Sequence, residues 1–550
     1  MIPLSLLLAA IPQAPVQIAQ HVEVTDQGAD VVREYRDASG QIVAKSSNSQ
    51  GLVTGPRWSE NDGGLAWICE DIAVGDNGAS VMASKGLNNE AVTLYSTGSA
   101  TPIFHYDMLT SEDPQVAVAA RANFSFAMEI FDTDPSSNYD FEATVHAFDN
   151  CDTSGTPLFS YTFPKTLNYF GGGVAVNDAG NVFLAWKADP NTQYLLVEAF
   201  DQAGNSISSG QLQTIGSSTY FHARQARLSE AGDRAYFFVG TDAIIYDVNS
   251  GTEIYRHAIG ASFDSHALSG DGETFAYGNF GFFNVYTESS PGVWTLAASQ
   301  SFAGGTYVAR LDLNSDGSRL GYQIQQYSPA YDHIEIGMYD VAGATNMFTA
   351  SYDAPGTAFQ LVCSGVSMDD NGDYVAGCSW GDDLGVTPEG FVYDDAGNVT
   401  CELGGSGSAF DCSLDADGDV FAMGTKAVHA NTFGNGGDIF VADAYDQNLH
   451  ILGLPQLGGT VTIEAPDTGT TLQLGVCSSL GNSMSSLGQT ELDLSTLITT
   501  FVFPIPVGGL SQPVTVPANP ALACWEVHVQ GGILGGSPTL TNKVSLRLIP

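Results

Sequence analysis

The stretch LSGDGETFAYG, residues 268–278, decides the fold, because it has the pattern of a β-hairpin. Its two halves of apolar and small residues are joined by an Asp-Gly pair. A tight hairpin turn needs a positive φ, which glycine adopts without a Cβ clash. Six further segments share this frame, with an apolar residue four positions before the glycine and another three positions after it. The seven turns centre on Gly78, Gly180, Gly232, Gly272, Gly317, Gly372 and Gly418.

The spacing of these turns predicts a repeat architecture. Asn123 fits as an eighth copy, because asparagine is one of the few other residues that tolerate a positive φ. Successive turns are then 45, 57, 52, 40, 45, 55 and 46 residues apart, and the mean of about 49 is close to the length of one four-stranded propeller blade. We therefore predict an all-β fold containing an eight-bladed β-propeller, with seven blades as the alternative. An additional hairpin, REYRDASGQIVAKS (residues 33–46), precedes the first unit and is expected to close the ring.

The hairpins also carry a family resemblance. LSGDGETFAYG and LNSDGSRLGYQ resemble the Ser-x-Asp-Gly hairpins of TolB-like and WD-repeat-like β-propellers, over roughly residues 65–450. The resemblance implies the fold alone, and the WD dipeptide itself is absent.

The character of the chain changes at Pro455. The last segment is poor in charge, rich in Gly, Thr and Val, and divided into strand-length runs, which predicts a small β-sandwich. The run VTVPANPALACWEVHVQGGILGG resembles the C-terminal sandwich modules of large exported bacterial proteins, a resemblance that implies no chemistry. The predicted organisation is a signal peptide (1–20), a propeller (21–454) and a β-sandwich (455–550).

Charge and the N-terminal segment limit the classes of partner and the compartment. With 17 Lys and Arg against 61 Asp and Glu, the net charge is −44. Such a surface repels phosphate backbones and anionic lipid heads, so we expect no nucleic-acid partner. The apolar run MIPLSLLLAAIPQA, which ends in small residues, is typical of a secretory signal, and no later stretch is apolar enough to span a bilayer. We expect a secreted or cell-surface protein.

The eight cysteines are consistent with export. Cys363 and Cys378 lie symmetrically about the turn at Asp370 and Asn371, so we predict that they are bridged across paired strands. Cys477 and Cys524 are the two cysteines of the C-terminal segment and form the second predicted disulfide. Two weaker pairings join Cys401 to Cys412 and Cys69 to Cys151, and the alternative is a set of buried free thiols.

The sequence carries no established catalytic, phosphate-binding or dinucleotide-binding motif. DLNSDG, with Asp312, Asn314 and Asp316, begins like a calcium loop, but Gln323 stands where an EF-hand needs glutamate. DADGD, at Asp415 to Asp419, is equally incomplete. Both lie on the recurrent hairpin, so we favour turn chemistry and predict no metal and no cofactor.

A propeller can still assemble a site from distant segments, because the inner strand of every blade faces one channel. Aromatic and polar residues lie just before the first strand of several units. Aromatic rings at the channel mouth would stack on a sugar while polar groups bind its hydroxyls; the alternative is packing between blades. The predicted ligand-binding residues are Phe221, His222, Arg224, Phe263, His266, Tyr307 and Arg310.

These observations predict an exported, non-catalytic propeller that acts in binding, or as a structural part of a cell-surface or extracellular assembly. The expected partner is a glycan or an extracellular protein. The alternative is an extracellular glycan-cleaving hydrolase or lyase with an active site at the channel mouth, which paired carboxylates would favour.

Overall fold

The structure is a computed structural model that describes residues 21–26, 31–36, 42–47, 55–61, 68–85, 91–108, 115–121, 123–132, 140–167, 172–189, 194–213, 227–239, 241–259, 265–384, 387–405, 407–432, 436–535 and 537–550. In these residues the regular elements are β-strands and short 3₁₀ turns. The predicted all-β class is confirmed. No helix of this part of the chain is long and apolar enough to cross a membrane.

The first four strands lie outside the repeat. An antiparallel sheet of three strands comprises β1 (His21–Asp26), β2 (Val31–Arg36) and β3 (Ile42–Ser47). Strand β4 (Trp58–Asn61) follows.

The repeated hairpins build antiparallel sheets, eight of which lie in the described residues. Sheet 1 comprises β5 (Ile72–Val74), β6 (Ser80–Lys85), β7 (Ala91–Ser96) and β8 (Ser99–Asp107), and sheet 2 comprises β9 (Gln115–Arg121), β10 (Phe124–Asp132), β11 (Asp140–Asp149) and β12 (Phe159–Thr162), with β13 (Thr166–Leu167) also pairing with β11. Sheet 3 comprises β14 (Gly172–Val176), β15 (Phe183–Asp189), β16 (Tyr194–Phe200) and β17 (Ser206–Gln213). Sheet 4 comprises β18 (Arg227–Leu228), β19 (Arg234–Val239), β20 (Asp242–Asp247) and β21 (Thr252–Ala258).

Sheets 5 to 8 repeat this order. Sheet 5 comprises β22 (His266–Leu268), β23 (Thr274–Asn279), β24 (Phe282–Ser290) and β25 (Val293–Ser301), and sheet 6 comprises β26 (Thr306–Leu313), β27 (Arg319–Gln326), β28 (His333–Asp340) and β29 (Thr345–Asp353). Sheet 7 comprises β30 (Cys363–Met368), β31 (Tyr374–Ser379), β32 (Gly390–Asp394) and β33 (Val399–Leu403). Sheet 8 comprises β34 (Ala409–Leu414), β35 (Val420–Thr425), β36 (Asp438–Asp443) and β4.

The recurrent glycine occupies the turn between the first and second strands of its sheet, as predicted. All seven turn glycines have a positive φ, between 61° at Gly180 and 75° at Gly372. Around Asn123, the register pairs Arg121 with Phe124 in the equivalent hairpin of sheet 2.

Neighbouring sheets pack face to face, and the series closes on itself. Each adjacent pair shares an apolar cluster, for example Leu184 of sheet 3 with Phe237 of sheet 4. The cluster that contains Val81 and Val420 joins sheet 1 to sheet 8. The core therefore lies between the sheets, in the cyclic arrangement of four-stranded sheets that is typical of a β-propeller.

A belt of backbone hydrogen bonds links the first turns of successive sheets. The donor and acceptor lie two residues before the turn glycines: Glu230 N–H donates to the carbonyl of Gly270 (2.8 Å) and Asp370 N–H to that of Ala416 (2.9 Å). Ala416 N–H donates in turn to the carbonyl of Asp76 in sheet 1 (3.1 Å). These turns therefore converge on one axis.

The closing strand differs from the predicted one. Strand β4 pairs with β36 and completes sheet 8, with Trp58 opposite Val441. The hairpin at residues 33–46 belongs instead to the separate sheet β1–β3. Arg57 reinforces the closure, because its Nε donates to Asp443 of sheet 8 at 2.5 Å.

The C-terminal unit, residues 449–550, has its own apolar core, which includes Leu472, Leu474 and Ile533. Its first strand precedes the predicted boundary at Pro455. One sheet comprises β37 (His450–Leu452), β38 (Thr460–Ala465) and β43 (Leu510–Thr515). The other comprises β39 (Thr471–Cys477), β42 (Leu497–Pro504), β44 (Glu526–Leu534), β45 (Thr539–Leu540) and β46 (Val544–Arg547). The unit also contains the hairpin of β40 (Leu480–Ser485) and β41 (Gly488–Leu492) and 3₁₀ turns at Leu494–Thr496 and Pro520–Leu522.

The cysteine pairing differs from every predicted pair. The disulfide in the described residues joins Cys151, after β11, to Cys524 of the C-terminal unit. A β-bulge between Cys363 and Gly365 shifts the register, so that Cys378 lies opposite Gly365. The predicted bridges Cys363–Cys378 and Cys477–Cys524, and the pairings Cys401–Cys412 and Cys69–Cys151, are therefore wrong. The remaining cysteines are buried free thiols: Cys69, Cys363, Cys378, Cys401, Cys412 and Cys477.

Candidate functional site

The alternation of strands gives the ring of sheets two different faces. The glycine turns and the connections from third to fourth strand emerge on one face, here called the turn face. The connections from second to third strand, and from each sheet to the next, emerge on the other, here called the loop face.

The C-terminal unit packs on the turn face, next to sheets 8, 1 and 2. Lys543, which is buried, places its ammonium against the carboxylate of Asp417 in the turn of sheet 8. Gly453 N–H donates to the carbonyl of Gly98 in sheet 1 (2.7 Å), and the disulfide fixes Cys524 beside sheet 2. These contacts of the C-terminal unit all lie on the turn face, opposite to the loop face.

Aromatic side chains recur at one position of the loop face. Phe280, Tyr327 and Trp380 are each the first residue after the second strand of sheets 5, 6 and 7. Phe280 is 54% exposed and Tyr327 38% exposed, and their ring centroids are 5.5 Å apart. Tyr307 contacts both rings, at 6.4 Å from Phe280 and 6.2 Å from Tyr327.

A second group of rings lies on the loop face of sheets 7 and 8. His429 stacks on Phe359, with centroids 4.5 Å apart, and meets Trp380 edge-on at 6.2 Å. Burial lowers the pKa of His429, which favours the neutral imidazole at neutral pH. Beside these rings Gln360 N–H donates to the side-chain oxygen of Asn431 (3.1 Å), and both amide side chains are exposed.

We call the six residues Phe280, Tyr307, Tyr327, Phe359, Trp380 and His429 the aromatic face. It combines half-buried rings, which are held in place by packing, with exposed amide groups. Such a surface can stack on a ligand and exchange hydrogen bonds with it, and it carries little charge of its own.

The structure separates the ligand-binding residues predicted from the sequence. Phe221, His222, Arg224 and Phe263 lie outside the described residues. His266 is 1% exposed and packs edge-on against Tyr236 of the neighbouring sheet, with ring centroids 5.1 Å apart. His266 therefore packs between two sheets, which is the alternative to ligand binding stated in the sequence analysis.

Tyr307 and Arg310 both lie on β26 but have different surroundings. Tyr307 belongs to the aromatic face, and burial raises the pKa of its hydroxyl. Arg310 donates from Nε to the carbonyl of Ser364 on β30 (3.1 Å) and so ties sheet 6 to sheet 7. That either residue binds a ligand remains a prediction.

A central cavity of about 210 Å³ lies on the axis of the ring, and the first strand of each of the eight sheets contributes to its wall. Its charged residues are mostly acidic, as expected from the composition. Arg227 is the basic residue of this wall, and its guanidinium lies 3.4 Å from Asp312. The acidic residues are Asp71, Glu230, Asp312, Asp370, Asp411 and Asp415.

Two sets of carboxyl groups lie close together around this cavity. Burial raises the pKa of Asp411, while hydrogen bonds with the Asp71 carboxyl and with Ile72 N–H oppose that shift. At the turn face, carboxylate oxygens of Asp178, Glu230 and Asp370 lie within 4.8 Å of one another. Hard cations prefer oxygen ligands, so this trio is the set in the described residues that could hold one.

The calcium-like motifs are engaged by the protein itself. Asn314 donates to Asp316 (2.9 Å), and Asp316 accepts from Ser318 N–H (2.9 Å), as in an ordinary Asx turn. In DADGD the positive charge next to Asp417 and Asp419 is the ammonium of Lys543. The contacts of Asp316 are the turn chemistry favoured from the sequence, whereas the ion pair of Lys543 is a tertiary contact.

The sequence matches no protein-family model and no curated protein. Several solved structures are similar in backbone. Sqt1 of Saccharomyces cerevisiae has a TM-score of 0.48 at 10% identity, covering 71% of this chain and 100% of its own. Sqt1 of Chaetomium thermophilum, bound to the N-terminus of the ribosomal protein L10, has a TM-score of 0.47 at 15% identity, covering 70% and 100%. The structure of U3-55K has a TM-score of 0.41 at 10% identity, covering 70% and 99%. All three scores are below 0.5, so the propeller assignment rests on the sheets described above.

Phe280, Tyr327 and Trp380 of the aromatic face were missed by sequence reasoning, although the repeat contains a signal for them. Phe280 and Trp380 each stand eight residues after a turn glycine, at Gly272 and Gly372. In sheet 6 the second strand is longer, and Tyr327 stands ten residues after Gly317. Aligning the ends of the second strands, in addition to the glycines, would have brought these rings together.

Proposed function

We propose that this protein is an exported, non-catalytic, eight-bladed β-propeller with a C-terminal β-sandwich, and that it binds a ligand on its loop face. The observation that carries the proposal is the aromatic face. Two groups of rings, one from sheets 5 and 6 and one from sheets 7 and 8, lie on the face opposite to the one that the C-terminal unit covers.

The eight sheets support the blade number, since the cluster around Val81 and Val420 connects the last sheet to the first. Two facing sheets around one apolar core support the sandwich. The signal-like N-terminal segment and the Cys151–Cys524 disulfide support export, because structural disulfides persist in oxidising compartments.

Glycans are the ligand class that fits this surface best. Phe280 and Tyr327 offer exposed ring faces for the apolar side of a sugar, and the amides of Gln360 and Asn431 offer donors and acceptors for hydroxyls. The net charge of −44 disfavours anionic glycans, so we propose a neutral one. An extracellular protein is the second partner class compatible with the same rings.

A glycan-binding array on the purified protein tests the proposal, followed by titration of any neutral glycan that binds. We expect Phe280→Ala and Trp380→Ala each to weaken that binding at least about tenfold, the usual effect of losing one stacking ring. Leu296→Ala is the matched control, because Leu296 is also 54% exposed but lies on the outer strand of sheet 5. Absence of glycan binding, or equal affinity of all variants, would contradict the proposal.

A hydrolase or lyase is the second candidate function, favoured by the several acidic residues that line the central cavity, among them Asp312, Asp411 and Asp415. The test is release of reducing ends from a panel of neutral polysaccharides. Hydrolysis that Asp411→Asn abolishes would support the enzyme and count against the non-catalytic proposal.

A further inference from the structure

The five-stranded sheet of the C-terminal unit ends in an unusual edge strand. In the described residues strand β42, LITTFVFP, pairs with β39 alone and is the terminal strand of its sheet. Six of its eight residues are exposed, including Ile498 and Val502, the latter at 62%. Natural sheets usually place charged side chains, above all lysines, on such edges, because unpaired N–H and C=O groups recruit another strand. β42 has no charged residue, and a bulge at Ile498 and the terminal Pro504 leave Thr499 to Phe503 as its regular part.

The edge is also the least charged part of the chain. Residues 494–525 contain no Asp, Glu, Lys or Arg, whereas 78 of the 550 residues are charged in the whole chain. Exposed apolar side chains flank the strand on both sides, Leu494 in the preceding 3₁₀ turn and Val507 in the following loop. We call Leu494, Leu497, Ile498, Val502 and Val507 the apolar edge.

We propose that the apolar edge is the interface through which a second copy of this chain binds, with β42 pairing antiparallel to β42 of the other copy. Two copies with a net charge of −44 each repel one another wherever acidic residues meet. The repulsion is smallest where both surfaces are uncharged, and this edge supplies such a surface on both partners.

The antiparallel arrangement follows from symmetry. A strand paired antiparallel with itself lies on a two-fold axis, which gives a closed dimer in which both β42 edges are used. In the regular part of β42, after the bulge at Ile498, the exposed residues Thr500 and Val502 lie on one side of the strand. Both are β-branched, the class of side chain that packs well across paired strands.

Sedimentation velocity on the full-length chain, from about 1 to about 100 μM, measures the association. We expect a monomer–dimer equilibrium that tightens severalfold between about 50 and about 500 mM salt, because screening reduces the repulsion between copies. Val502→Lys places two ammonium groups near the two-fold axis and should weaken the dimer at least about tenfold. Leu296→Lys makes the same change of charge at an equally exposed apolar site, on the outer strand of sheet 5, and should leave the dimer intact.

Hydrogen exchange of the wild type supplies a readout that does not depend on any variant. Amide protons of residues 497–503 on the outer side of β42 should exchange more slowly at the high than at the low concentration. A wild type that stays monomeric at high salt overturns the proposal. So does a dimer that Val502→Lys leaves unchanged, or one in which β42 gains no protection.

Discussion

Replacing Gly418 with alanine tests whether the turn glycines serve only their backbone conformation or also the packing between sheets. Gly418 has a φ of 71° in the turn between β34 and β35. A Cβ atom there would lie 2.7 Å from Cδ2 of Tyr374 and 3.2 Å from Cβ of Asp369, both on the preceding sheet. Tyr374 cannot easily move away, because its ring stacks on Tyr445 with centroids 5.3 Å apart.

Gly292 is the matched control. Its φ is 75°, and a Cβ atom there would meet nothing within 4 Å. Alanine at either position costs about 1–2 kcal/mol of left-handed backbone strain. At Gly418 the overpacking adds about 1–3 kcal/mol, for a total of about 2–5 kcal/mol.

Differential scanning calorimetry measures the difference. The ring of sheets comprises roughly 390 residues, and at about 2.1 cal/mol/K per residue its entropy of unfolding is near 0.8 kcal/mol/K. We therefore expect Gly418→Ala to lower the Tm of the ring by about 2–6 °C and Gly292→Ala by about 1–2 °C.

Equal shifts for the two variants would refute the packing part of this reasoning, since only the clash with Tyr374 distinguishes the two sites. Unchanged midpoints in both would mean that these glycines do not need a positive φ, and the turn register would then be wrong.

Three further predictions concern the buried contacts. Cys524→Ala should lower the free energy of unfolding by up to about 6 kcal/mol, because the disulfide closes a loop of 373 residues and removes that much entropy from the unfolded chain. Unfolding of this variant should no longer depend on reductant, whereas unfolding of the control Cys477→Ala should still depend on it. Burial raises the pKa of Asp369 to about 7, so its contribution to stability is fully present below about pH 4 and is lost as the pH rises through 7. Asp369→Asn should therefore stabilise the protein by about 2–4 kcal/mol at pH 8 and hardly at pH 4, and urea titrations giving equal effects at both pH values would contradict this. Lys543→Met removes the ammonium that faces Asp417 and should lower the free energy of unfolding by about 3–5 kcal/mol at pH 8. The loss should be smaller at pH 5, because burial raises the pKa of nearby Asp419 to about 6 and that carboxyl is then protonated.

The predictions that succeeded used only neighbouring residues. The turn at Gly272 was visible because hairpin register, glycine and flanking apolar residues all lie within about ten positions. The cysteine pairing failed for a local reason and a distant one. Symmetry about the turn put Cys363 opposite Cys378, but one bulge at Gly365 moved the register, and no sequence pattern connects Cys151 with Cys524.

Of the predicted ligand-binding residues that the structure describes, Tyr307 lies in the aromatic face, on the side of the ring that the sequence suggested. Its binding of a ligand stays a prediction. Phe280, Tyr327 and Trp380 follow second strands, where exposure is not visible in the pattern of apolar residues. His266 shows the opposite case, because a histidine next to a predicted strand became part of the packing between two sheets.

The sequence alone determined the repeated antiparallel sheets, because turn geometry and alternation of side chains act over a few residues and need no partner elsewhere in the chain. Tertiary structure decided which strand closes sheet 8, which cysteines meet and which aromatic rings share a surface. Each of these contacts joins segments far apart in sequence: β4 pairs with β36 across the whole ring, and Cys524 reaches Cys151 from the C-terminal unit. Their formation depends on how the sheets pack in space, which no local pattern records.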